Sequence, residues 1–456
     1  MSRLKRKAWE FELKVRGNTL RYKRDLESWQ WKSRDDVDRL QRSRLEALIR
    51  HAYEHVPYYR ETLGNAGLVS DDGTVRLECF RRVPLLDKNL IRANYDRLKS
   101  DDLSRRAWVE ESSGGSTGMP VQLIQDKDHL DWSCAIKLLY DEWSGLPMGE
   151  RRAFVWGSVR DTLAGSETLR TQLGRWIRNE IWLNSFRISP EQMEAFVNRI
   201  NRYRPVQITA FAENIFDLAR YIEERGLRVH SPRAILTSAG ILYPHMREKI
   251  ERVFRAPVFN RYGSREVGDI ACECSLHGGM HISAPTHYVE IVREDGTVAA
   301  PGEYGEIVIT LLTNYAMPLI RYRIGDLGML SGESCRCGRG LPLLRDLIGR
   351  TSDIFINARR DRIDGRMFIR LLMLKSFIRK FQVVQETHDH VRILIEPAVR
   401  GIDHRTRYAR DLAELAADTR TTMGADCRVD FEFVDGIDTT ASGKYRFTIS
   451  KVPYGK

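Results

Sequence analysis

Three serines, a threonine and three glycines are packed into Ser112-Ser113-Gly114-Gly115-Ser116-Thr117-Gly118-Met119-Pro120. Glycines let backbone N–H groups approach a ligand closely, and the hydroxyls add short donors beside them. A polyphosphate needs such a surface. The run is not a Walker loop, because no Gly-Lys-Ser/Thr closes it. Val109 before it and Val121, Leu123 and Ile124 after it are strand-formers, which predicts a loop slung between two strands. Read alone, the same composition also describes a surface turn.

Three further constellations carry groups that a nucleotide enzyme would use. Tyr262-Gly263-Ser264-Arg265-Glu266-Val267-Gly268 follows a strand-like run. Its aromatic ring suits a base, and its carboxylate suits Mg²⁺ beside phosphates. Arg321-Tyr322-Arg323-Ile324-Gly325-Asp326-Leu327-Gly328 offers a carboxylate whose two oxygens match the two hydroxyls of a ribose, or merely a turn residue at a strand end. Ser442-Gly443-Lys444-Tyr445-Arg446 puts an ammonium on a short glycine turn, where it either reaches a developing anion or stays solvated. Between the last two, Gly349-Arg350-Thr351-Ser352-Asp353 has the charged, glycine-bearing character of a hinge.

Four of the seven cysteines form two Cys-x-Cys pairs, Cys272/Cys274 and Cys335/Cys337. Cys274, His277, Cys335 and Cys337 offer three sulfurs and one imidazole, the donor set of a closed tetrahedral Zn²⁺ site, with Cys272 and His281 as substitutes for a member. Small buried residues are the other reading. A structural ion is expected rather than a catalytic one, since four protein ligands leave no open position. The odd cysteine count, with no secretion signal ahead of it, argues against a disulfide framework.

These residues need a body to hold them. At 456 residues, with 42% hydrophobic content, two domains or more are expected. Leu40, Leu45, Leu48, Ile49, Ala52 and Val56 recur at helical spacing until Pro57. Residues 1–105 therefore read as a helical part of a large domain. Residues 106–350 alternate strand-like and helix-like segments, an α/β core with mixed sheets. Residues 351–456 read as a small α+β domain: Val391, Ile393 and Ile395 alternate, and Pro397 stops them. Asp403 would cap a helix whose Tyr408, Leu412, Leu415 and Ala416 share a face, and Val429, Phe431 and Phe433 alternate again. The net charge of +11 is spread among acidic residues, as on a solvated surface, and no apolar run is long enough to span a bilayer. A cytoplasmic enzyme is expected.

The order of these pieces resembles the adenylate-forming, AMP-binding superfamily, and most closely the phenylacetate–CoA ligase family with its capsular-polysaccharide-biosynthesis (CapK-like) relatives. Leu48-Ile49-Arg50-His51-Ala52-Tyr53-Glu54-His55-Val56-Pro57-Tyr58-Tyr59 is similar to the opening helix of that branch. The 112–120 loop resembles its phosphate loop, 262–268 its adenine and Mg²⁺ motif, 321–328 its ribose motif, 349–353 its hinge and 442–446 its C-terminal lysine motif. The resemblance implies a mobile C-terminal domain and a two-step reaction. A carboxylate attacks the α-phosphate of ATP to give an acyl-adenylate and pyrophosphate, and a second nucleophile, typically the CoA thiol, then takes the acyl group.

Carried over residue by residue, the resemblance puts Ser113, Gly114, Gly115, Ser116, Thr117 and Gly118 around phosphates. It puts Gly240, Tyr262, Gly263 and Ser264 against adenine, Glu266 on Mg²⁺, Asp326 on ribose, Arg350 on the nucleotide and Lys444 on charge that develops during adenylation. Trp156, Gly157 and Phe211 would line the acyl pocket, although the two aromatics serve equally as core. Two departures stand out: Met119 occupies a position usually held by Lys, and Ile241 one that is often acidic. The implied partners are a small carboxylic acid and CoA. Alternatives are an amine, a sugar or a carrier thiol as acceptor and, more distantly, a zinc-stabilised nucleic-acid-binding protein. The first two readings imply no nucleic-acid partner and are compatible with a homodimer.

Overall fold

The computed structural model describes residues 2–70, 72–113, 121–156, 169–183, 190–350, 354–373, 375, 377–399, 401–437 and 446–452. The chain forms two compact units. One consists mainly of Met1–Ile324 and Gly328–Leu347, the other mainly of Ile348–Thr440 with Gly325–Leu327.

The first unit opens with four helices, Ser2–Arg16, Thr19–Trp29, Arg34–His55 and Pro57–Asn65. Local chemistry sets their limits. The Ser33 hydroxyl accepts a hydrogen bond from the Asp36 N–H and caps the third helix. Pro57 has no N–H to leave unpaired and sits where the fourth begins. The stripe read from the sequence faces inward: Leu45, Leu48, Ile49, Ala52 and Val56 are buried in the main core, with Leu40 half-buried. Each large aliphatic there contributes about 1.5–3 kcal/mol. The Gln41 amide donates to the Ala284 and His287 carbonyls and so ties this helix to the sheet.

An eleven-stranded sheet forms the body. One half is parallel, in the order Glu180–Leu183, Arg152–Val155, Gln207–Phe211, Ala234–Ser238 and Val258–Ser264. The third and fourth of these are buried at every position, as strands covered on both faces must be. Val258–Ser264 then pairs antiparallel with Gly268–Glu273, and Met280–Ile282 continues antiparallel beyond it. Leu343–Arg350, Tyr322–Leu330, Tyr304–Leu311 and His287–Val292 complete the sheet. Val258–Ser264 is thus the strand at which the sheet changes from parallel to antiparallel.

The second unit holds a four-stranded sheet in the order Arg428–Phe433, His390–Pro397, Ile378–Thr387, Thr448–Ser450. The alternations at 391–395 and 429–433 form the two parallel-paired strands of this sheet. Asp403 does cap a helix, accepting from Arg405 N and Thr406 N, but that helix is only His404–Arg407. Tyr408 interrupts it, its ring stacked on Phe377 with centroids 4.2 Å apart. Leu412, Leu415 and Ala416 lie on the next helix, Ala409–Met423.

Candidate active site and cysteine cluster

The serine/glycine run joins the antiparallel pair Trp108–Ser112 and Gln122–Asp126, whose register ends at Ser112↔Gln122. Gly114, Gly115, Ser116, Thr117, Gly118 and Met119 lie outside the described residues. Ser113 stands at the neck: its N–H donates to Val121 O at 2.9 Å, and its Oγ accepts from Val121 N at 2.9 Å. That buried hydroxyl keeps its proton to donate, but its first job is to clasp the loop's two ends. The hairpin is pinned to the body by Asp126, which caps the helix Lys127–Trp143 and accepts from Tyr315 N at 2.9 Å and Ala316 N at 3.2 Å. Asn314 completes the link, accepting from Asp126 N and donating to Ile124 O.

Ligands of open α/β sheets gather at the carboxyl ends of parallel strands, where the strand pattern switches. The sequence candidates line that edge. Val155, Ala210, Thr237 and Asn260 are in register across four adjacent strands. Trp156, Phe211, Ser238 and Arg261 therefore come next, followed by Gly240 and Tyr262. Trp156 and Phe211 meet with ring centroids 4.1 Å apart at 52°. Gly157 lies outside the described residues.

Gly263 is a glycine for steric reasons, and Gly240 leaves room for a neighbouring side chain. A Cβ on Gly263 would stand 2.6 Å from Gly268 O and 2.9 Å from Asp269 Cα, across the hairpin at the register shift that follows Tyr262. A Cβ on Gly240 would overlap the carboxylate of Glu213 outright. Glu213 is buried in the first turn of the helix Ala212–Glu224. A carboxylate thus reaches the loop in which Ile241 departs from the resembled pattern, delivered from another element. Ala239 holds φ at 69°, a left-handed backbone that costs a non-glycine residue about 1–2 kcal/mol.

Glu266 lies in the turn between the strands Val258–Ser264 and Gly268–Glu273, buried, with Oε1 3.3 Å from Lys88 Nζ. Lys88 is absent from the sequence candidates. A chain of contacts delivers it. The buried Arg321 guanidinium binds Glu290 and donates to the carbonyls of Arg81 and Val83, both at 2.7 Å. Leu86 then pairs along Tyr322, through Leu86 N–Arg321 O at 2.9 Å and Arg323 N–Leu86 O at 2.8 Å. Asp87 caps the helix Lys88–Ala93 that follows. The Pro84-Leu85-Leu86-Asp87-Lys88 run, with an N-cap directly before a lysine, is the signal that sequence reading passed over.

Asp326 is buried on the strand Tyr322–Leu330, next to Gly325 at φ 83°, in the three-residue stretch grouped with the second unit. Arg350 ends the strand Leu343–Arg350, after Gly349 at φ 112°. The Arg350 side chain and Lys444 lie outside the described residues.

The cysteine cluster corrects one ligand. Cys274, His281, Cys335 and Cys337 place their donor atoms within 4.8 Å of one another. His277 is not among them. It closes the turn after Cys274 with φ 50°, and its Nδ1 lies 3.1 Å from Glu273 Oε2. Burial alone would raise the Glu273 carboxyl. The His277 hydrogen bond and the Arg247 guanidinium, 2.7 and 2.8 Å from its two oxygens, hold it below its ordinary value instead.

The four donors fit zinc. A Zn–S bond of about 2.3 Å gives tetrahedral S–S edges of about 3.8 Å. Cys274 Sγ and Cys335 Sγ are 3.8 Å apart, and Cys337 Sγ lies 3.2 Å from His281 Nε2. All ligands come from two places, the hairpin after strand Gly268–Glu273 and the loop before strand Leu343–Arg350.

Residues 355–451 match the family model of the CapK C-terminal domain. Over 429 residues the chain is 23% identical to Protein CapK of Staphylococcus aureus, covering 92% of this chain and 90% of that protein. It is 26% identical to the phenylacetate-coenzyme A ligase of Thermus thermophilus, covering 80% of this chain and 82% of the relative. The corresponding Escherichia coli ligase is 28% identical, with 71% and 73% covered. A solved structure of 2-hydroxyisobutyryl-CoA ligase in its postadenylation state superposes with a TM-score of 0.71 at 20% identity, over 92% of this chain and 91% of that one, which shows the shared fold. The sequence relatives and the C-terminal model together support a place for the chain in the phenylacetate–CoA ligase and CapK-like family of adenylate-forming enzymes.

Proposed function

We propose that this protein is an AMP-forming acid–thiol ligase that activates a small carboxylic acid with ATP and passes the acyl group to CoA. The observation that carries the reading is the alignment of Trp156, Phe211, Gly240 and Tyr262 along the carboxyl edge of the parallel half of the sheet, with Glu266 and Lys88 in contact at its end. In this reading an oxygen of the acid attacks the α-phosphorus of ATP and the bond to pyrophosphate breaks. The CoA thiol then attacks the acyl carbon, AMP leaves, and the thiol proton passes to solvent.

The residues divide that work. The hydroxyls and N–H groups of 113–118 bind phosphate, Thr117 among them, and Ser113 also holds the loop's neck. Tyr262, Gly263, Ser264 and Gly240 form the adenine wall, Asp326 binds ribose and Arg350 contacts the nucleotide. Trp156, Gly157 and Phe211 line the acyl pocket. Glu266 is the residue that would hold Mg²⁺, which supplies charge neutralisation between phosphates. Lys88 stands beside it, and its ammonium supplies a positive charge in a site whose loop carries Met119 rather than lysine. Lys444 stabilises charge on the transferring phosphoryl group. Cys274, His281, Cys335 and Cys337 would hold a zinc ion in a structural role, since four protein ligands would leave it no position for substrate.

Among the described residues, no helix is long and apolar enough to cross a membrane. We place the enzyme in the cytoplasm, where ATP and CoA are available. Acid-dependent exchange of labelled pyrophosphate into ATP tests adenylation, and a broad panel of aryl, short-chain and fatty acids without exchange refutes it. Consumption of free CoA in the presence of the active acid tests the acceptor. Exchange without CoA consumption assigns the acyl group to an amine, sugar or carrier thiol instead. Lys444→Ala is expected to lower exchange by about 10²-fold, the cost of one charged donor. Exchange at the parental rate refutes that role.

A further inference from the structure

We propose that the N-terminal helix Ser2–Arg16, with the helix Leu169–Ile177 beside it, docks the protein flat on an anionic membrane surface. At 100° per residue, Leu4, Ala8, Phe11 and Val15 fall on one stripe about 60° wide. All four are exposed, Leu4 by 74% and Phe11 and Val15 by 69% each. The face that packs inward is a different one, carried by the buried Trp9 and the half-buried Leu13. The helix therefore has a second apolar stripe that the described residues leave exposed.

The neighbouring helix extends the surface. It packs against Ser2–Arg16, and its Leu173 and Trp176 are exposed by 57% and 56%. Lys5 joins the two elements: its Nζ lies 4.3 Å from the centre of the Trp176 ring and 2.7 Å from Asn179 Oδ1. Among the described residues, five of the eleven large apolar side chains that are exposed sit on these two helices. That concentration marks a contact face rather than scattered surface residues.

The charges decide the partner. Lys7 and Lys14 flank the stripe, exposed and without a carboxylate partner among the described residues. The two acids of the helix are neutralised within it, Glu10 by Arg6 at 2.7 Å and Glu12 by Arg16 at 2.9 Å. A two-fold contact with a second copy would set the same patch against itself, bringing lysines to lysines with no unpaired carboxylate among the described residues of Ser2–Arg16 to separate them. An anionic bilayer accepts the whole pattern: apolar side chains enter the acyl boundary, a tryptophan sits at headgroup level, and lysines meet lipid phosphates.

Co-sedimentation of the full-length protein with lipid vesicles tests this. Binding is expected to vesicles of phosphatidylglycerol and phosphatidylcholine, not to phosphatidylcholine alone, and to weaken as salt rises. Phe11→Glu with Val15→Glu, and separately Lys7→Glu with Lys14→Glu, should each lower vesicle partition at least about tenfold. All four side chains are exposed, so thermal midpoint and pyrophosphate exchange in the absence of lipid should not change. Phe11→Leu should retain binding. Absence of binding to phosphatidylglycerol vesicles at low salt overturns the proposal, as does equal binding by the Phe11→Glu/Val15→Glu protein. A dimer in sedimentation velocity that this substitution splits, without vesicle binding, gives the face to a second copy and overturns it too.

Discussion

Breaking the Cys274–His281–Cys335–Cys337 cluster is expected to destabilise the large unit by a calculable amount. An ion held by all four donors cross-links two segments whose cysteines, Cys274 and Cys335, are 61 residues apart in sequence. Treated as a covalent link, closing a loop of that length removes about 14 cal/mol/K from the unfolded chain, or about 4 kcal/mol at room temperature. A unit of roughly 350 residues unfolds with an entropy of about 0.7 kcal/mol/K, so the loss corresponds to a fall of about 6 °C in melting temperature. Calorimetry before and after chelation measures that fall, and elemental analysis measures the metal. The substitutions add a sharper criterion. Cys274→Ser and Cys335→Ser serve one ion, so the double variant should melt with either single one rather than at the sum of their effects. His281→Ala should release the metal, and His277→Ala should retain it. Unperturbed melting after chelation, full additivity of the two cysteine variants, or metal loss from His277→Ala rather than His281→Ala would each refute the assignment.

Further outcomes follow from individual contacts. Lys88→Met removes the ammonium beside Glu266 and is expected to slow pyrophosphate exchange by about 10²-fold or more. The buried Glu266 loses a partner, so a lower melting point is expected as well, and normal exchange by the folded variant would show that the 3.3 Å contact is only structural. Gly240→Ala displaces the Glu213 carboxylate, the movable end of a side chain, so the urea midpoint should move by less than about 1 kcal/mol while the KM for the acid or ATP rises; unchanged kinetics would show that the carboxylate's position does not matter there. Acid should destabilise the fold through its buried imidazoles. Burial lowers His129 to about 3 and His245 to about 4, from an ordinary 6.5. The unfolded chain binds these protons first, so stability is full above pH 6.5 and is lost as pH falls towards 3–4. Urea titrations across that window check the sign, and stability that rises on acidification is the refuting result.

Local patterns made much of the frame legible. The apolar spacing of 45–56, the strand pair around the serine/glycine run and the alternations at 391–395 and 429–433 all depend on residues close in sequence. So does the donor chemistry of the cysteine pairs. What stayed hidden depends on distant packing. Cys274 and His277 are adjacent by spacing, yet the turn that brings them together aims the His277 ring at Glu273, and the hairpin returns His281 to the sulfurs instead. No spacing rule links Lys88 to Glu266, because Arg321 and the 321–323 strand make that connection. Glu213 reads as an ordinary helix residue until the empty side of Gly240 shows where its carboxylate goes. Asp403 capped the helix its chemistry promised, but it ends after one turn at Tyr408, whose ring stacks on Phe377.

The strand Val258–Ser264 has neighbours of opposite sense, parallel Ala234–Ser238 on one side and antiparallel Gly268–Glu273 on the other. The division gives the two walls of the site separate histories under mutation. On the parallel side Phe211 and Ser238 each end a strand before its own helix, so an insertion or exchange there alters one side of the proposed acid pocket and leaves the rest of the sheet in register. On the antiparallel side Glu266 lies in a three-residue turn between paired strands, where any change in length would shift the ladder. Under the proposed function, such a scaffold would let descendants trade one acid for another while inheriting the side that carries Glu266 intact.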